Sequence, residues 1–148
     1  MAYTNALSAY KETRVKTAGQ GQLIMMLYDE AVKQLDRGLD LLKKNSKGKK
    51  DPGRIEEITK ALLKTQEIIT ELSVSLDFEK GGEIAKNLFS LYSWFNHEIV
   101  EADISKDMER VANVRAMLND LRTVWGEVTA KAPRENMERP RNGINIAG

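Results

Sequence analysis

Few side chains in this sequence have the types and spacing that catalysis or metal binding requires. His97 is the one histidine, and cysteine is absent. His97 could act as a metal ligand or a general base, but a helical wheel places it near Glu101 and away from the apolar seam. Two-iron bundles use Glu-x-x-His motifs, and position 94, where the glutamate would stand, is a tryptophan. We therefore expect an exposed histidine, no metal and no cofactor.

Two pairs of glutamates could in principle form an acid–base dyad. Glu56 is adjacent to Glu57, and Glu67 precedes Glu71 by one helical turn. Both pairs fall off the apolar seam, where solvated carboxylates are expected. The sequence also has no phosphate-binding loop, nucleophile elbow or zinc-protease motif. It predicts no catalytic residue and no enzymatic activity.

Composition and charge favour a protein of the cytoplasm. The 148 residues suit one domain, with 41% hydrophobic and 30% charged residues. The net charge of +1 hides a basic stretch over residues 43–51 and a weaker one after Lys131, so the remainder is mildly acidic. That distribution is a poor footprint for nucleic acid, and no apolar run reaches the roughly 20 residues that span a bilayer. The basic stretch could touch phosphate or a membrane surface, but a solvated connector fits it better.

Hydrophobic periodicity predicts four helices, over about residues 18–44, 52–79, 82–103 and 105–130. Asp51 is the expected N-cap of the second helix and Ser105 that of the fourth. Gly81 and Gly82 are expected to end the second helix and reverse the chain into the third. Similar lengths and short links predict an all-α, antiparallel up-down four-helix bundle. Its expected core includes Ile84 and Val128.

We expect the bundle over residues 17–131, and the sequence on either side of it lacks the periodicity of a long helix. Residues 1–16 carry Leu7 and Tyr10 among other apolar residues, and could dock on the bundle as a short helix. Residues 132–148 contain Pro133 and Pro140 and predict a flexible, basic tail without helix.

Apolar side chains remain after each helical seam is assigned. On the second and third helices they recur eleven residues apart, which returns them to one face. Methionine suits such surfaces because it adapts to irregular partners. We therefore predict a groove that binds a partner protein. The candidate contacts are Met25, Met26, Leu63, Val74, Phe89, Val100, Met117 and Val124.

Three blocks of the sequence stand out by their order and spacing: residues 9–13 with Thr17 and Ala18, residues 23–29, and residues 76–92 with the paired glycines. Together they resemble the FliS family of flagellar secretion chaperones. With the helix spacing and the segment 121–125, the resemblance covers roughly residues 3 to 126. It implies an antiparallel bundle that binds the disordered C-terminal segment of newly made flagellin in the cytoplasm.

The same resemblance implies what binding achieves. The chaperone prevents premature polymerisation of flagellin and assists its delivery to the flagellar type III export apparatus. In this family the N-terminal segment is thought to cover part of the binding surface, and Leu7 and Tyr10 match the positions of such a lid. Whether the export apparatus or another flagellar regulator also binds stays open. So does an alternative function, a structural or regulatory bundle that self-associates through the same apolar residues.

Overall fold

The computed structural model describes residues 20–48 and 51–144, which form four α-helices and no β-strand. They are α1 (Gln20–Lys47), α2 (Pro52–Val74), α3 (Phe78–Ser105) and α4 (Met108–Ile144). The environment of side chains is described for residues 21–48 and 51–130. The predicted all-α class of four long helices is confirmed. The proposed lid residues Leu7 and Tyr10 lie outside the described part.

An aspartate caps the N-terminus of each of the helices α2, α3 and α4. Asp51 accepts a hydrogen bond from the Gly53 N–H at 2.9 Å, with Pro52 at the first helical position, as predicted. Asp77 accepts from two N–H groups at the start of α3. Asp107, rather than Ser105, does the same for α4. An aspartate side chain reaches free N–H groups and carries a negative charge that favours a helix N-terminus.

The chain reverses before the paired glycines, not at them. α2 ends at Val74 and α3 begins at Phe78, so Gly81 and Gly82 lie inside α3. Gly82 has φ 50° and ψ −125°, which kinks the helix in a conformation that glycine alone adopts readily. The prediction that both glycines close the second helix is therefore wrong, because the cap supplied by Asp77 starts the next helix one turn earlier.

Residues 27–119 form one compact unit in which all four helices meet. A methyl group on Gly38 would lie 3.4 Å from Leu62, which shows how closely α1 approaches α2. The other helix pairs are joined by polar contacts. Thr59 Oγ1 donates to Asp103 Oδ1 at 2.9 Å between α2 and α3. Arg110–Glu98 joins α4 to α3 at 3.1 Å, and Arg115–Asp36 joins α4 to α1 at 2.8 Å.

The core of this unit is apolar, with one buried pair of hydroxyls. The largest buried side chains include Tyr28, Tyr92 and Phe95. Tyr28 and Tyr92 reach from α1 and α3, and their hydroxyl oxygens lie 2.5 Å apart in a hydrogen bond. Burial raises the pKa of Tyr92 above its ordinary value of 10, and the bond to Tyr28 partly offsets this. In this pair each buried hydroxyl therefore has a hydrogen-bond partner inside the core.

Two residues expected in the core are instead on the surface. Ile84 is 70% exposed. It lies two residues after the kink at Gly82, and the adjacent Ala85 takes the buried position instead. Val128 is 50% exposed. The neighbouring Thr129 packs near Gly21 of α1, so the Val128 side chain points away from that contact.

The second unit contributes residues 20–26 and 120–144 to the described structure. A methyl group on Gly21 would lie 3.2 Å from the Thr129 side chain, so the start of α1 packs closely on α4. α4 continues to Ile144, and the prediction that the tail lacks helix is wrong over residues 132–144. The helix runs through Pro133 and Pro140, although a proline removes its N–H from the hydrogen-bond ladder and its ring crowds the preceding turn.

Candidate partner-binding surface

Five of the predicted contact residues lie on the surface of the unit formed by residues 27–119. Each is an exposed large hydrophobic residue, although a folded protein gains by burying such side chains. Their exposure agrees with the helical wheels, and their contact with a partner stays a prediction. The five are Leu63, Val74, Phe89, Val100 and Met117.

The three remaining candidates lie in the second unit. Val124 is exposed, whereas Met25 and Met26 are half-buried. A Cβ on Gly126 would lie 3.5 Å from the terminal methyl carbon of Met25. Met25 therefore packs over the glycine on α4, and part of its surface serves the fold.

Hydrogen bonds between α2 and α3 fix which residues of the two helices lie side by side. Thr59 is bonded to Asp103, and Asn96 Nδ2 donates to Thr70 Oγ1 at 3.5 Å. The partner number falls along α3 as the number rises along α2, so the helices are antiparallel. In this register Leu63 lies beside Val100, and Val74 lies at the level of Phe89.

Each helix presents the same pattern of four residues along this junction. The steps are four, three and four, which keep the residues on one helical face. In each helix an apolar residue stands at both ends and two polar residues stand between them. We call these eight residues the α2/α3 strip. They are Leu63, Glu67, Thr70 and Val74 on α2, and Phe89, Ser93, Asn96 and Val100 on α3.

The wheels missed further exposed apolar side chains on α3. The Phe78 ring meets the Phe89 ring edge-on with centroids 6.0 Å apart, which lengthens the apolar end of the strip. Ile84, Trp94 and Ile104 are also exposed. Phe78 could not be found from the sequence because it was assigned to the end of the second helix. Trp94 was considered only as a position lacking a metal ligand.

Of the histidine and the paired glutamates whose types could do chemistry, only Glu67 belongs to the α2/α3 strip. His97 is exposed on α3, and Glu56 and Glu57 are exposed on α2. Within the described residues, no group of three potential ligands could hold a metal ion. No helix in that same part of the chain is long and apolar enough to cross a membrane.

Comparisons with known proteins agree with this architecture. The family model described as "Flagellar protein FliS" matches residues 3–132. The flagellar secretion chaperone FliS of Salmonella typhimurium is 33% identical over 122 residues, covering 82% of this chain and 84% of that protein. The Escherichia coli chaperone is 30% identical, covering 78% and 80%, and the Bacillus subtilis chaperone is 27% identical, covering 84% and 86%. The chain therefore belongs to the FliS family of flagellar secretion chaperones.

Proposed function

We propose that this chain is a non-enzymatic chaperone that binds the disordered C-terminal segment of flagellin in the cytoplasm. Family membership supports a role in flagellar secretion, since the curated relatives carry the name flagellar secretion chaperone. The observation that carries the more specific claim is the α2/α3 strip. A surface of paired apolar residues on rigid helices suits a segment that is disordered when free and orders on binding.

Binding on the strip would gain free energy from apolar area on both partners. Phe89 and Leu63 are each about half exposed, so both retain area that a bound segment can cover. At roughly 25 cal/mol per Å² of apolar surface, a few such side chains offset part of the cost of ordering the segment. Met117 and Val124 offer further apolar area on α4. We expect the flagellin segment to extend beyond the α2/α3 strip.

Holding this segment would prevent flagellin from polymerising too early. A segment that is covered by the chaperone is not available for contacts between flagellin subunits. A non-covalent complex also releases its cargo, so the same binding is compatible with delivery to the flagellar type III export apparatus. Neither step needs a catalytic group or a cofactor.

The test is co-purification with flagellin from the same organism, in full-length and C-terminally truncated forms. Light scattering of the purified mixture should show a stoichiometric complex with full-length flagellin and none with the truncated form. Equal binding of both forms would refute recognition of the C-terminal segment. If the chain forms oligomers alone and binds neither form, self-association is the function to pursue.

Residues 1–16 remain a proposed lid over the binding surface. If Leu7 and Tyr10 compete with flagellin, deleting residues 1–16 should raise the affinity for its C-terminal segment or the association rate. Stopped-flow fluorescence of the labelled segment measures both. An unchanged affinity and rate would argue against a lid.

A further inference from the structure

The centre of the α2/α3 strip holds two shielded oxygen atoms that lack hydrogen-bond partners. Glu67 Oε1 and Asn96 Oδ1 are both out of contact with solvent, and neither is paired within the part of the chain that the structure describes. The amide nitrogen of Asn96 bonds to Thr70, so it is the oxygen that is left over. Buried acceptors are nearly always paired, because an unpaired one has lost water without gaining a donor.

Both oxygens belong to residues between the apolar ends of the strip. Glu67 lies one turn beyond Leu63 on α2, and Asn96 lies one turn before Val100 on α3. Each residue is only partly buried, so rotation about its side-chain bonds can turn the oxygen toward a ligand. This contrasts with the hydroxyl pair of Tyr28 and Tyr92, which is satisfied inside the core.

We propose that the α2/α3 strip binds a helical segment that has two apolar side chains with a hydrogen-bond donor between them. Its two apolar side chains stand eleven residues apart. Between them, four or seven places along, stands a side chain with more than one N–H group, which donates to Glu67 Oε1 and Asn96 Oδ1. Asparagine, glutamine, arginine and lysine have such groups. The inference rests on the proposed function and names the chemistry of the segment that the chaperone selects.

The spacing of the strip favours a helix over an extended chain. Eleven residues of α-helix span about 16 Å, and they return a side chain to nearly the same face. An extended chain covers that distance in about five residues, and residues five apart in a strand point to opposite faces. A helix therefore places both apolar side chains on the strip, and its residues four and seven places along face the strip as well.

The two unpaired oxygens determine which side chain the strip accepts at the middle of the segment. A leucine there would cover both acceptors and leave them unpaired. A carboxylate would meet the carboxylate of Glu67 and repel it. A side chain with several N–H groups can bond to both oxygens, and the bond to a carboxylate is the stronger kind. The strip thus discriminates among amphipathic helices of equal hydrophobicity.

Replacing the acceptors tests the inference with the full chain and a fluorescent flagellin C-terminal segment. Asn96→Leu and Glu67→Leu should each weaken binding about tenfold in fluorescence anisotropy. The melting temperature of the free Glu67→Leu variant should stay equal or rise, because an unpaired acceptor is gone. Asn96→Leu also loses the hydrogen bond to Thr70, so its melting temperature serves only to show that the variant folds. Glu67→Gln keeps an oxygen acceptor and should bind more tightly than Glu67→Leu. His97→Leu adds similar apolar area on the exposed side of α3, outside the strip, and should leave affinity unchanged.

An exclusively apolar strip predicts the opposite sign, since added leucine would then tighten binding. If the wild-type chain binds and Asn96→Leu binds equally well or better, this inference is wrong and the proposed function stands. A melting temperature several degrees lower in Glu67→Leu would also overturn it, because Glu67 Oε1 would then be paired in the free protein. If the wild-type chain does not bind the segment, both proposals fail.

Discussion

Two phenylalanines on α3 show how one helix serves both the core and the surface. Phe95 has no exposed surface, and its ring centroid lies 6.4 Å from that of Tyr92 and 5.8 Å from that of Trp94. Phe89, two turns earlier, is 47% exposed and meets the Phe78 ring at its edge. The same residue type therefore stabilises the fold at one position and is left available to a partner at the other.

The largest expected effect is the difference in stability between alanine variants at these two positions. Phe95→Ala removes a fully buried ring and should cost about 3–5 kcal/mol of the free energy of unfolding. Phe89→Ala should cost about 1 kcal/mol or less, because half of its ring is already in water. Urea unfolding followed by circular dichroism measures both. Similar losses in the two variants would show that Phe89 belongs to the core, as Phe95 does.

The kink at Gly82 lies between Phe78 and Phe89 along α3. Gly82→Ala should cost about 1–3 kcal/mol, since φ is positive and ψ lies outside the regions that alanine favours. A Cβ there would meet no atom within 4 Å, so the loss would be conformational and not steric. Thermal unfolding measures it, with Gly53→Ala as the control at a glycine without positive φ. An unchanged melting temperature in Gly82→Ala would mean that α3 runs straight.

The buried hydroxyl pair gives a smaller effect with a defined pH dependence. Tyr92→Phe removes the hydrogen bond to Tyr28 and should cost about 0.5–1.5 kcal/mol at neutral pH. Burial holds the pKa of Tyr92 above its ordinary value of 10, so the unfolded chain loses this proton first as the pH rises. The contribution is complete below pH 10 and is lost as the pH rises through the raised pKa.

A pH series of thermal melts checks this sign. The melting temperature of the wild-type chain should fall more steeply above pH 10 than that of Tyr92→Phe. Equal slopes would mean that Tyr92 titrates alike in the folded and unfolded chains.

The smallest effect is expected at the surface ion pair between α4 and α1. Arg115 contacts Asp36 through two nitrogen–oxygen pairs at 2.8 and 3.3 Å, but solvent reaches both side chains. Arg115→Ala should therefore cost under about 1 kcal/mol, and less in high salt. Chemical unfolding at low and high salt gives both values. A loss as large as that of Phe95→Ala would place this contact among the determinants of the fold.

Periodicity was enough to predict four helices and to place apolar residues such as Leu63 and Phe89 outside the core. Steps of three and four identify a buried face whatever the neighbouring helix is, and a residue off those steps, such as Phe89, is expected outside it. The phase of a helix is less certain near its ends. Ile84 follows the kink at Gly82, and that kink is not visible in a run of apolar residues.

Other features depend on atoms that are distant in the sequence. Gly81 and Gly82 are equally permissive as residues, and the sequence does not distinguish them, yet of the two only Gly82 takes a positive φ. The unpaired oxygens of Glu67 and Asn96 could not be predicted, because whether an acceptor is paired depends on every neighbour in the folded chain. The sequence offers Glu67 only as a solvated carboxylate or an acid–base group, whereas the structure shields one of its oxygens from solvent.

In the proposed function the α2/α3 strip binds flagellin, while the buried residues of α3 hold the fold together. Isothermal titration with the flagellin C-terminal segment tests it on the wild-type chain, Leu63→Asp and Phe89→Asp. Both variants should keep the helical circular dichroism of the wild type and lose at least about tenfold in affinity, because each buries a charge against an apolar surface. Unchanged affinity, or loss of helicity in both variants, would contradict the account.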